Sequence, residues 1–229
     1  MKFTKTLSMG IVGMPNVGKS LLFNLLSKRD LAGTANYPFC TVDPNVARVE
    51  VPDERFTHLC EVFHPRNQVP ATLNITDIAG LVRGASAGEG LGNEFLSNIR
   101  NVQGIFQVIR IFEDPEIVHV EGTVDPVRDL QIISEELRQK DIEWVNKAYE
   151  DLEKKMRSEP RKYKDDFEHI TRVKNFLQET TAPIRMGEWT VGEAEFIDTL
   201  NLLTAKPTVF LLNLDKQSYL QKRNRHLPK

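Results

Sequence analysis

Gly13-Met14-Pro15-Asn16-Val17-Gly18-Lys19-Ser20 fits the pattern GxxxxGK[ST]. The chemistry of such a run is polyphosphate binding. Main-chain N–H groups turn inward around a phosphate, and the N-terminus of the following helix adds its positive end. All of Gly13, Met14, Pro15, Asn16, Val17, Gly18, Lys19 and Ser20 are therefore candidate nucleotide-binding residues. Lys19 is the cation that would neutralise the β and γ oxygens, and so the first candidate catalytic residue; the Ser20 hydroxyl would ligate Mg²⁺.

Asp77-Ile78-Ala79-Gly80 supplies a second element, DxxG. An aspartate at a strand end can hold Mg²⁺ through water, and a glycine lets a backbone N–H approach the γ-phosphate. Thr41, between the first helix and the second strand, is a third candidate, closing over Mg²⁺ and the γ-phosphate. The metal set is then Ser20, Thr41 and Asp77. Triphosphate contacts of this kind order residues 34–43 and 80–92, and loss of the γ-phosphate releases them.

Two positions depart from a guanine-nucleotide switch. Leu81 follows DxxG where Ras-like GTPases carry a water-orienting glutamine, and its side chain cannot hydrogen-bond water. Hydrolysis is expected to be slow, or to use a partner or another group, for which His119 is the candidate. The base tetrad is Asn213-Leu214-Asp215-Lys216 rather than NKxD. Asn213 and Leu214 are candidate base contacts. Lys216 has no acceptor for the guanine donors, although it could donate to adenine N1. Guanine selectivity is expected to be poor unless Asp215 takes the place of the missing carboxylate.

These groups need elements to position them. Leu7 to Val12 is an apolar run that ends in glycine, a buried parallel strand, and a helix opens at Lys19. Further strands are expected over 46–51, around Leu73 and Ile75 up to Asp77, over 105–112 and over 208–213. Helices are expected from Pro52, around Phe95 to Val102, and over 193–203. The alternation specifies a doubly wound α/β fold with a mostly parallel sheet. Residues 127–180 hold no glycine and one proline, Pro160. Leu130, Ile133, Leu137, Trp144, Ala148, Leu152 and Met156 recur at helical spacing before Pro160, and Phe167, Ile170, Val173 and Leu177 after it. This is the pattern of an α-helical antiparallel coiled-coil arm. The expected division is 1–126 with 190–229 for the nucleotide-binding body and 127–189 for the inserted arm.

Charge and hydropathy narrow the class. Of the 229 residues, 40% are hydrophobic and 27% charged, which fits a globular chain. A net charge of −2 argues against a surface wholly given to nucleic acid. Cys40 and Cys60 lack metal-ligand spacing, and glycines and Pro15 interrupt the first apolar stretch before a signal-peptide core is complete. No run reaches the ~18 apolar residues of a membrane span. The expectation is a cytoplasmic protein without membrane contact.

The chain resembles the Obg-like ATPases, the YchF group of the Obg-related translation-factor NTPases. The residues that carry the resemblance are GIVGMPNVGKSLLFNLL, NYPFCTVDPN, DIAGLVRGASAGEGLGNEFLSNIR, HVEG with VDP just after it, and KPTVFLLN. The resemblance implies a P-loop NTPase G-domain interrupted by a coiled-coil arm, hydrolysis of ATP in preference to GTP, and association with the ribosome or a ribosomal subunit. It implies K⁺ as a second candidate cofactor beside Mg²⁺, at Asn16. It also implies a further strand and helix and a TGS domain after Lys229. Family members usually show NxxE where this chain has Asn213 and Lys216, which leaves GTP as the alternative substrate. A second reading, drawn from the arm and the basic tail after Lys216, is a ribosome- or RNA-binding adaptor whose nucleotide is structural.

Overall fold

The run that precedes the phosphate loop becomes strand β1 (Leu7–Val12), at the centre of a five-stranded sheet. Strands β2 (Val46–Glu50), β3 (Thr72–Asp77), β4 (Gly104–Arg110) and β5 (Thr208–Asn213) complete it in the order β2-β3-β1-β4-β5. β1 runs parallel to β3 and β4, and β4 parallel to β5, while β2 lies antiparallel to β3. The computed structural model describes residues 7–31, 46–78, Gly80, Gly84 and 99–226.

Register places the chemistry. Ile11 pairs with Asp77 and Val12 with Gln107, so β1 and β3 finish together and β4 runs on beyond them to Arg110. In an open parallel sheet, ligands bind beyond that edge. Helix α1 (Lys19–Leu31) begins there, directly after the glycine-rich loop. Helix α2 (Glu54–Phe63) starts two residues later than the sequence suggests. The Asp53 carboxylate accepts the Arg55 N–H at 2.9 Å and so sets the N-terminus. β4 stops at Arg110 rather than running on to Phe112. Arg110 pairs with Asn213, the last residue of β5, after which the ladder has no partner.

Helix α3 (Pro126–Ser158) is unbroken for 33 residues. Asp125 caps it by accepting from the Val127 and Arg128 amides, and Pro126 stands at its first position. Pro160 opens helix α4 (Pro160–Glu179), which returns along α3. The two form the expected helical pair. Residue 126 is not a packing boundary, however. Ile132, Ile133 and Leu137 of α3 lie in the same buried cluster as Ile11, Val12, Ile75 and Val108 of the sheet. Only further along does α3 enter a second core, where Val145 meets Ile170, Val173 and Leu177 of α4.

Helix α5 (Val191–Leu200) joins that second core through Ile197. A reciprocal capping box of Thr190 and Glu193 starts it before the expected Glu193, and Asn201 ends it in the left-handed region at φ 50°. Helix α6 (Lys216–Gln221) follows β5, capped by Asp215. Of the helix expected over Phe95 to Val102, residues 99–102 are described; 99–101 are helical and Val102 lies just beyond the helix.

Candidate functional site

The loop from Gly13 to Ser20 sits where β1 ends. Met14 and Val17 are 1% exposed and anchor it in the core. Asn16 and Gly18 both take positive φ, 61° and 101°. Asparagine tolerates that region and glycine adopts it without strain. Gly18 is also constrained by space: a Cβ there would fall 2.4 Å from Asn213 Nδ2.

Lys19 is 7% exposed, and its Nζ donates to the Met14 carbonyl at 2.8 Å, back across its own loop. Burial lowers its pKa from the usual lysine value, and the nearby Asp77 charge partly offsets this. Ser20 Oγ donates to Asp77 Oδ2 at 2.7 Å, so hydroxyl and carboxylate meet across 57 residues of sequence. Asp77 Oδ1 is buried without a hydrogen-bond partner. A buried carboxylate oxygen left unpaired is costly, and this one faces the demand that a divalent cation or its water would meet. The donor set fits Mg²⁺, which keeps waters and takes one or two protein oxygens together with phosphates. Among the described residues no group of three or more His, Cys, Asp or Glu forms a self-sufficient metal cage.

Gly80 closes the site from β3. A Cβ on it would lie 3.0 Å from the Pro15 nitrogen and 3.1 Å from Lys19 Nζ. Only glycine brings the backbone so close to the phosphate loop. From the other side, Asn213 Nδ2 donates to the Val17 carbonyl at 2.8 Å. Leu214 follows Asn213 and is half-buried. The loop, Asp77, Gly80 and Asn213 therefore converge at one edge of the sheet. Thr41 and Leu81 lie outside the described residues.

His119 follows Val118, whose carbonyl receives Asn16 Nδ2 of the phosphate loop. Its Nδ1 accepts the Glu121 N–H at 3.1 Å, which fixes the Nε2–H tautomer, and Nε2 donates to Asp129 Oδ2 at 2.8 Å. Imidazole and carboxylate are both buried. With both ring nitrogens engaged, His119 ties the segment before α3 to the first turn of that helix. The Asp215 side chain is likewise engaged. It accepts the Ser218 N–H at 2.8 Å, and its bonds to Ser218 hold its pKa below the usual carboxylate value. It caps α6 rather than standing free beside Asn213.

Two contacts were not apparent in the sequence. Asn16 Nδ2 donates to the Val118 carbonyl at 3.0 Å, and the Gly84 N–H donates to Glu136 Oε1 of α3 at 2.6 Å. One signal for the first was present: Arg110 is the one charged residue in the strand run 105–112, and it bonds the segment that ends at Val118.

Fold and site define a P-loop nucleoside triphosphate-binding domain of the G-domain type. The family described as 50S ribosome-binding GTPase matches residues 8–148, and the chain belongs to it. Obg-like ATPase 1 of Oryza sativa subsp. indica is 52% identical over 229 residues, covering 100% of this chain and 58% of that relative. Obg-like ATPase 1 of Saccharomyces cerevisiae is 50% identical over 227 residues, covering 96% of this chain and 57% of that relative. The solved structure of the Schizosaccharomyces pombe YchF GTPase superposes with a TM-score of 0.82 at 48% identity, covering 99% of this chain and 61% of the other. The chain is thus a homologue of the Obg-like ATPases and spans somewhat over half their length. No described helix is long and apolar enough to cross a membrane.

Proposed function

We propose that this domain is a Mg²⁺-dependent nucleotide switch that binds ATP in preference to GTP, hydrolyses it slowly, and acts on the ribosome in the cytoplasm. The observation that carries the reading is the convergence of Lys19, the Ser20–Asp77 pair and the Gly80 backbone on one phosphate loop. The N–H groups of the Gly13 to Ser20 loop, which Pro15 lacks, bind the β-phosphate, and Lys19 neutralises the β and γ oxygens. Ser20, Asp77 and Thr41 hold the metal, whose charge offsets that of the phosphates. The Gly80 N–H reports the γ-phosphate. K⁺ at Asn16 is a further cofactor of this reading; its test is hydrolysis in matched KCl and NaCl.

Slow hydrolysis follows from what is missing around the attacking water. Leu81 offers no hydrogen bond, and His119, the other candidate, would have to give up one of its two ring bonds to orient the water. The base preference is supported by Asp215, whose carboxylate caps α6, and by Lys216, which cannot accept from guanine. The relatives are named as ATPases and the solved structure as a GTPase, so the base is the first thing to measure. Labelled ATP bound in Mg²⁺ should be displaced far better by ATP than by GTP. A hundredfold preference for GTP would reverse the assignment. Lys19→Ala should lose roughly 1.5–3 kcal/mol or more of triphosphate binding, the worth of a charge-assisted contact. Unchanged affinity in calorimetry would remove the phosphate site itself. Ribosome co-sedimentation that ignores nucleotide, without turnover, would favour an adaptor that contacts ribosomal RNA.

A further inference from the structure

Arg110 is the last residue of β4 and is 1% exposed. Its hydrogen bonds among the described residues do not reach the phosphate loop. Instead Nε donates to the Phe112 carbonyl at 3.2 Å, Nη1 to the Ile117 carbonyl at 3.0 Å and Nη2 to the Asp114 carbonyl at 3.3 Å. The Phe112 ring lies 4.4 Å from its central carbon. A buried guanidinium tolerates its desolvation only when its donors are met, and here one short loop meets them with main-chain oxygens. The cation and the loop specify each other: residues 112–117 can satisfy the charge only by wrapping around it.

That loop is attached to the phosphate loop at two adjacent residues. At its far end the Val118 carbonyl receives Asn16 Nδ2. At its near end the Ile111 N–H donates to the Asn213 carbonyl at 3.0 Å, and Asn213 Nδ2 holds the Val17 carbonyl. Asn16 and Val118 are exposed, so a bond between them persists only if the loop is held rigidly elsewhere.

We propose that Arg110 is a positioning residue for nucleotide binding, acting through the 112–118 loop and the Val118 carbonyl to fix Asn16 of the phosphate loop. The inference rests on the phosphate-site reading above. It predicts that Arg110 and Asn16 act as one unit.

The test is a double-mutant cycle read as ATP affinity by calorimetry in Mg²⁺, on protein whose folded fraction is known from thermal unfolding. Arg110→Met removes the hub. Asn16→Gly removes the side-chain amide, and glycine keeps the positive φ without strain. Each single change should weaken binding about tenfold, and the double variant should bind no worse than Arg110→Met alone. Losses that multiply, or an Arg110→Met variant that melts lower yet binds ATP like the parent, would overturn the proposal. Should Arg110→Met fail to fold, Arg110→Lys takes its place in the same cycle and is held to the same two criteria. Lys19→Ala is measured alongside. If it binds as tightly as the parent, the phosphate-site reading itself has failed. If it does not bind while Arg110→Met binds normally, only the role of Arg110 is lost.

Discussion

At Lys19 the demands of folding and of ligand binding oppose each other. Its ammonium is buried and its pKa is lowered, so the charged form costs stability in the folded chain. The folded value lies below the unfolded one. The cost is therefore full below the folded value and fades as pH rises from there towards the unfolded 10.5. Nucleotide-free Lys19→Met should show this as a difference in unfolding free energy that moves in the parent's favour between pH 7 and pH 10. A pH-independent difference in urea titrations would contradict it. Gly18 is the complementary case. Alanine there must adopt φ 101° and push against the Asn213 amide. Gly18→Ala should cost on the order of 1–3 kcal/mol and release Asn213 from the Val17 carbonyl. Chemical denaturation reads the first effect, and the Asn213 side-chain amide resonances read the second.

Helix termini carry much of the specification at the scale of elements. Asp53, Asp125, Thr190 and Asp215 each cap a helix with a side-chain oxygen, and each lies within a residue or two of where the pattern changes. Asp53 also holds Arg55 through a paired contact at 2.8 and 2.9 Å. The Arg55 side-chain bond, then its backbone N–H, lowers the Asp53 carboxyl pKa to about 2. A depressed carboxylate contributes its share of α2 stability above the ordinary value of 3.8 and loses it as pH falls towards 2. Carbon-detected NMR titration should place Asp53 near that low value and move it back up in Arg55→Ala. A normal titration in the parent chain would show the cap is not formed. Both residues sit at the surface, so the effect on the whole molecule should be small.

Across the whole molecule, α3 joins two cores. Its first turns are packed with the sheet and its later turns with α4 and α5. A 33-residue helix that belongs to both should transmit a defect in one to the other. Trp144 and Trp189 both lie on the helical side, which makes fluorescence a local probe. Ile133→Ala, in the sheet-side core, should cost about 2–5 kcal/mol and lower the fluorescence midpoint as much as the far-ultraviolet circular dichroism midpoint. Two separate transitions would mean that the cores unfold independently. Asp141 reinforces the junction. Fully buried in α3, it accepts from the Leu203 and Thr204 amides and the Thr204 hydroxyl at 2.7–2.8 Å, tying the helix to the segment that leads into β5.

The phosphate loop, DxxG and the asparagine before α6 are legible in sequence because local spacing dictates them. A strand, a glycine-permitted turn and a helix start are short-range facts, and so is the helical periodicity on either side of Pro160. Tertiary structure alone decided which polar groups are already engaged. His119 has no free nitrogen because Asp129 and the Glu121 amide take both, and Asp215 is committed to a helix start. Asn16 meets Val118 across 102 residues and Asn213 meets Val17 across 196. Hydrogen-bond demand is set by burial and by whatever the fold brings within about 3 Å, and no periodicity along the chain encodes it.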